Sequence, residues 1–238
     1  MEATTRRVNN TRSYSWLIPI AIYIIALVVR VIGLKFSFPL LTHHDERAII
    51  DPLVEMSRNH TLDSGQYARP NQFLYSVLFG YLNLLSKVLF DKNFGWAYSD
   101  DPLFFYFHAR LMVAVLGTTV PVLAWKIGKL FKGVDFSLAA AFLTCFYPPF
   151  ILHSHYITGD ILNTAMSLAI ILLCLIYLQK KKWVWLVLAC IIVALNTVEK
   201  YPGILSYGIL LVTLGINAFS QENMNNQKKW REFLSGIL

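Results

Sequence analysis

Two adjacent carboxylates, Asp45 and Glu46, stand in the run Leu41-Thr42-His43-His44-Asp45-Glu46-Arg47, and a third, Asp160, closes His153-Ser154-His155-Tyr156-Ile157-Thr158-Gly159-Asp160. A set of carboxylates can divide labour. One takes the proton of an acceptor hydroxyl, while another orients that hydroxyl or holds a divalent cation. Hard cations favour carboxylate oxygens, so Asp45, Glu46 and Asp160 are the ligand set for Mg or Mn where a metal takes part. His43, His44 and His155, with His153, are accessory candidates that add ring nitrogens, and no His-Glu-x-x-His spacing points to zinc. A purely structural reading stands beside this one. Thr42 and Asp45 are spaced like a capping box, and acids in a first helical turn answer the positive end of the helix dipole. Asp160 can cap a helix in the same way.

Three basic residues lie away from the basic clusters described below. Arg69 precedes Pro70, Arg110 sits inside an apolar run, and Lys200 stands in Asn196-Thr197-Val198-Glu199-Lys200-Tyr201-Pro202-Gly203. An ionisable group within a membrane segment is a functional candidate by default, and arginine grips phosphate oxygens with two parallel bonds. A lipid phosphate suits cations at that depth. The alternatives are snorkelling to headgroups and an internal ion pair of Arg110 with an acid. Arg30 reads as a snorkelling residue.

The elements that carry these groups follow from composition and charge. Of 238 residues, 56% are hydrophobic and 15% charged, against about 25% charged in a soluble domain. A water-soluble enzyme, a disordered chain and a disulfide-stapled secreted domain are excluded. Cys145, Cys174 and Cys190 read as small buried hydrophobes. Apolar runs at 16–34, 104–125, 136–152, 161–178, 183–198 and 204–219 are predicted to span, and 73–90 is a seventh candidate. The net charge of +7 is unevenly placed. Arg6, Arg7 and Arg12; Lys126, Lys129 and Lys132; Lys180, Lys181 and Lys182; and Lys228, Lys229 and Arg231 make up 12 of the 21 basic residues. This pattern argues for lipid rather than nucleic acid.

Cytoplasmic flanks collect such charges. All four clusters fall on the cytoplasmic side only when 73–90 does not cross. Gln72, Ser76, Gly80, Asn83 and Lys87 form one polar stripe on that segment, as on a helix lying in the interface. The expectation is therefore an all-α polytopic membrane protein with six spanning helices (seven if Phe73–Phe90 spans). Both termini are cytoplasmic, and one or two interfacial helices lie in a long first outer loop, 35–103. That loop is acidic and shares one face with Asp160. The first span is an anchor rather than a cleavable signal, since its apolar core is too long and no small-x-small site follows. Residues 1–219 form the membrane module. Residues 220–238 are a polar cytoplasmic segment with an apolar end, expected to lead into further spans.

These pieces together resemble the integral-membrane GT-C glycosyltransferases, in particular the family 39-like group of protein O-mannosyltransferases and aminoarabinose transferases. The matching segments come in order: His44-Asp45-Glu46; Arg69-Pro70; Ala109-Arg110-Leu111 with Leu116-Gly117-Thr118; Phe146-Tyr147-Pro148-Pro149 through Asp160; and Lys200-Tyr201-Pro202-Gly203. The His43-His44 pair departs from the small residue or Pro usual before the acidic pair. The resemblance implies a polyprenyl-phosphate sugar donor, a lipid, glycan or protein acceptor on the outer face, and membrane lipid as surroundings. It implies Asp45 as general base, Glu46 as its support or a cation ligand, and Asp160 on the acceptor or metal side. It implies Arg69 on the donor phosphate, with Arg110 and Lys200 as further phosphate or structural contacts. Relatives are longer, so a C-terminal partner chain is one expectation. A transporter or flippase for a lipid-linked or anionic substrate, and a non-catalytic membrane subunit, are the rival readings.

Overall fold

The computed structural model of the chain describes residues 16–41, 43–62, 72–131 and 133–219. Arg69 and Pro70 with their expected phosphate contact, Thr42 with its expected capping role, and the segment 220–238 lie outside the described residues. Every element among the described residues is helical. In order they are α1 (Leu17–Val31), α2 (His44–Arg58), α3 (Gln72–Phe90), α4 (Phe94–Asp100), α5 (Pro102–Gly117), α6 (Thr119–Phe131), α7 (Gly133–Phe146), α8 (Pro148–His155), α9 (Asp160–Lys180), α10 (Trp183–Glu199), a 3-10 turn (Tyr201–Leu205) and α11 (Ser206–Phe219).

Among the described residues four helices are long and apolar enough to cross a membrane: Phe73–Phe90, Pro102–Phe131, Asp160–Lys180 and Tyr201–Phe219. The pair α7 and α8 makes a fifth if its 50° bend is counted within one span, and α1 and α10 are shorter apolar helices. The chain is a polytopic membrane protein by this inventory. Two expected spans change shape. The segment 104–125 extends into a 30-residue element, Pro102–Phe131, started by Asp101, whose carboxylate accepts the Phe104 N–H at 3.0 Å ahead of Pro102 at the first position. The segment 136–152 is broken at Tyr147, because Pro148 and Pro149 offer no N–H to the preceding turn.

That break explains a residue misread from sequence. Arg30 does not snorkel; it is fully buried. Its guanidinium donates to Thr144 O and Cys145 O, both at 3.4 Å, and to Ala26 O at 3.2 Å. In an unbroken helix Thr144 O and Cys145 O would receive N–H groups four residues on, at Pro148 and Pro149. The arginine supplies what the prolines lack, as backbone inside a bilayer requires. Cys190 is a second correction: it is exposed on α10, while Cys145 and Cys174 are buried.

The first loop carries three helices, α2 to α4, rather than one or two. They share one apolar core with α5 and α9, including Ile50, Leu53, Leu74, Leu78, Phe94, Phe105 and Ile161. Helix α3 runs about 28 Å at 1.5 Å per residue. At its start the Leu74 N–H donates to Glu199 Oε2 at the end of α10, at 2.8 Å. At its finish the Phe90 ring meets Phe104 and Phe105 in the first turn of α5, with centroids 5.2 and 5.9 Å apart. Helix α3 is therefore held at its start by α10 and at its finish by α5. Ser76, Gly80 and Lys87 of the polar stripe are exposed, while Leu74, Leu78 and Leu82 face the core.

From that end α5–α6 and α9 run away toward Lys126 and Lys129 and toward Lys180. Glu46 and Asp160 thus sit at one end of the bundle and these lysines at the other.

Candidate functional site

The site end is built around one buried ion pair. Glu46, in the first turn of α2, and Arg110, in the third turn of α5, are both fully buried. Arg110 Nε donates to Glu46 Oε1 at 2.7 Å and Nη2 to Oε2 at 2.6 Å. The remaining nitrogen, Nη1, donates to Leu34 O at 2.8 Å and Phe36 O at 2.9 Å. Phe36 and Phe38 cover the guanidinium, with centroids 4.2 and 4.9 Å from Cζ. Glu46 Oε1 also accepts the Ile157 N–H at 3.1 Å. Arg110 therefore ties the loop after α1, the start of α2 and the loop before α9 into one unit. It is an internal pair, as one sequence reading allowed, and both carboxylate oxygens of Glu46 are occupied by protein donors.

Asp45 is one residue away and differs in every respect. Its side chain is 67% exposed and lies beside His44, whose Nδ1 is 3.6 Å from Asp45 Oδ1. The helix begins at His44 with His43 in the N-cap position and no side-chain cap bond. His43 stacks on Tyr156, with centroids 3.9 Å apart. This stack and the Glu46–Ile157 bond place the start of α2 against the 156–159 loop, which leads directly into Asp160.

Asp160 opens α9 and is partly exposed. Its Oδ1 accepts from Lys200 Nζ, and its Oδ2 lies 3.6 Å from His153 Nδ1. Lys200 and Asp160 thus join the end of α10 to the start of α9. The three acids Asp45, Glu46 and Asp160 reach the same end of the bundle. They do not gather into a metal set: among the described residues no group of three or more His, Cys, Asp or Glu side chains could hold an ion. The physical reason is the commitment of Glu46 to Arg110 and Ile157. His155 packs on Phe36 across 6.4 Å rather than beside Asp45.

Sequence reasoning missed Glu199. It is fully buried and accepts the Leu74 N–H, so it holds the start of α3 at the rim beside Lys200. Its signal was an acid ending an apolar span. Asn196, one turn earlier, was also missed. Its amide accepts from Asn163 at 2.8 Å and donates to Ser167 and Ser206 at 3.2 and 3.0 Å, a closed polar network that fixes α9, α10 and α11 together.

Residues 105–237 match the family model of dolichyl-phosphate-mannose-protein mannosyltransferases. The chain belongs to that family. Membership makes it a membrane glycosyltransferase of the GT-C type, a class that works with a lipid-linked sugar donor. The matched segment contains Arg110, Asp160 and Lys200, while Asp45, Glu46 and Arg69 precede it. No curated protein and no solved structure matches the chain.

Proposed function

We propose that the protein transfers a sugar from a polyprenyl-phosphate donor to an acceptor hydroxyl at the outer face of the membrane, with Asp45 as the general base. The observation that carries the reading is the contrast within one dipeptide. Glu46 is locked in a buried pair, while Asp45 projects beside it into solvent at the end of the bundle that also holds Asp160. A base must reach the proton that it removes, and of this pair Asp45 is the one free to do so.

The remaining roles belong to the same proposal. Glu46 and Arg110 form the frame that fixes Asp45 and the 156–159 loop. Lys200 holds Asp160 at the mouth of α9, where Asp160 orients the acceptor. Arg69 remains our candidate for the donor phosphate, whose departing oxygens gain charge as the sugar leaves. The acceptor is a lipid, a glycan or a protein. Six spans with both termini cytoplasmic put the acidic end outside, since the opposite end carries the lysine clusters.

The transport reading was motivated by Arg110 and Lys200 within the membrane; Arg110 pairs with Glu46 and Lys200 with Asp160, which favours a structural role for both. The experiment is direct: the full chain in liposomes, supplied with a radiolabelled polyprenyl-phosphate mannose and a membrane extract as acceptor source. Label moving to a new product supports the reading. Donor crossing the bilayer with no covalent product would replace it with transport.

A further inference from the structure

The first turn of α3 is fastened from outside its own helix. The Leu74 N–H is one of the four that an α-helix leaves without an internal acceptor. It donates to Glu199 Oε2 at 2.8 Å, across 125 residues of chain. Glu199 ends α10 and is fully buried. A carboxylate in that place also answers the positive end of the helix dipole. Its second oxygen, Oε1, is shielded from solvent and has no hydrogen-bond partner among the described residues. The adjacent cation is committed elsewhere, because Lys200 Nζ bonds Asp160 Oδ1. Two neighbouring residues thus serve two helix starts, Glu199 that of α3 and Lys200 that of α9.

The base that carries this dipeptide is well braced. Asn196, one turn earlier, is bonded to α9 and α11 through Asn163, Ser167 and Ser206. The Lys200 N–H closes on Asn196 O at 3.1 Å, and the Gly203 N–H on Lys200 O at 2.8 Å. A Cβ at Gly203 would collide with Asn196 O, so the turn after Lys200 sits directly on the last turn of α10. Of the two partners in the Leu74–Glu199 bond, α3 is therefore the one whose place is set by the other. Leu74 belongs to the same apolar core as Ile161, the residue after Asp160. Where α3 begins thus bears on the wall beside Asp160.

We infer that Glu199 is a positioning residue for the acceptor side of the site, its bond to Leu74 fixing the start of α3 beside Lys200 and Asp160. It acts through α3 and, being buried, touches no substrate. The inference rests on the transferase reading. Two conservative variants separate the bond from the charge. Glu199→Gln removes the charge and keeps a carbonyl oxygen for the Leu74 N–H. Glu199→Asp keeps the charge and draws it back by one C–C bond, about 1.5 Å, beyond hydrogen-bond reach. Both are assayed as the full chain in liposomes for kcat and for donor and acceptor KM, with hydrogen exchange of the first turn of α3 measured in the same preparations. Glu199→Asp should raise the acceptor KM about tenfold, leave kcat and the donor KM unchanged, and speed exchange at the start of α3. Glu199→Gln should match the unaltered protein in all four readings. An unaltered acceptor KM in Glu199→Asp, a rise in the donor KM instead, or a Gln variant as impaired as the Asp variant would overturn the inference. Exchange is read without turnover. No transfer by the unaltered protein would reject the transferase reading, while the exchange pattern would still support or overturn the anchoring of α3, so the two failures are distinguishable.

Discussion

Arg110 and Glu46 lie 64 residues apart in the chain and meet in a two-bond ion pair at 2.6 and 2.7 Å, with no solvent access to either side chain. Removing one member leaves the other charge buried and alone, which costs about 3–5 kcal/mol in comparable pairs. Arg110→Met and Glu46→Leu should each sharply reduce folded protein. The double variant should recover much of the loss, because it removes both charges together. Size-exclusion profiles and melting curves of the four proteins check this. An additive double variant would mean that the pair does not act as a unit.

Lys200→Met leaves Asp160 without its main partner but with His153 still near. If Lys200 positions Asp160 for the acceptor, the variant should raise the acceptor KM about tenfold and leave the donor KM unchanged. A donor KM that rises instead would assign Lys200 to the phosphate.

Arg30 and the Pro148-Pro149 break are expected to depend on each other. Arg30→Met strips the donors from Thr144 O and Cys145 O, and each unsatisfied buried acceptor costs about 1–3 kcal/mol. Replacing Pro148 and Pro149 with Ala restores two backbone N–H groups at the places where those carbonyls expect them. Melting temperatures should therefore fall in Arg30→Met and recover in part in the triple variant. A triple variant less stable than Arg30→Met would show that the bend itself, not the carbonyls, is what the arginine supports.

The placement of α3 is checked with cysteines. Cys190 is exposed and is replaced first, with Cys145 and Cys174. Ser76→Cys should then react with a membrane-impermeant reagent from outside, and Lys126→Cys only after permeabilisation. The opposite pattern would invert the protein, and labelling of both from one side would break the six-span count.

The all-helical membrane class was readable because charge and hydropathy are bulk properties of segments, and a slab of hydrocarbon tests each segment separately. The polar stripe of α3 was readable for the same reason. Partnerships across the chain were not. Nothing local in Ala109-Arg110-Leu111 says that Glu46 will occupy the guanidinium, and nothing near Arg30 says that two prolines far along the chain will leave carbonyls for it. Glu199 escaped notice because its partner is a backbone N–H, which has no sequence signature. Of the acidic pair, the sequence offers no way to tell the exposed residue from the buried one, since that difference is set by which way α2 faces α5.

The measurement that bears most directly on the account is the transfer rate of Asp45→Asn, with its melting temperature recorded alongside. The side chain is exposed and makes no buried contact among the described residues, so folding should be unchanged. Loss of a general base lowers kcat by about 10²–10⁴, and the account predicts a fall in that range with donor affinity intact. Transfer at the unaltered rate by a folded Asp45→Asn protein would contradict it.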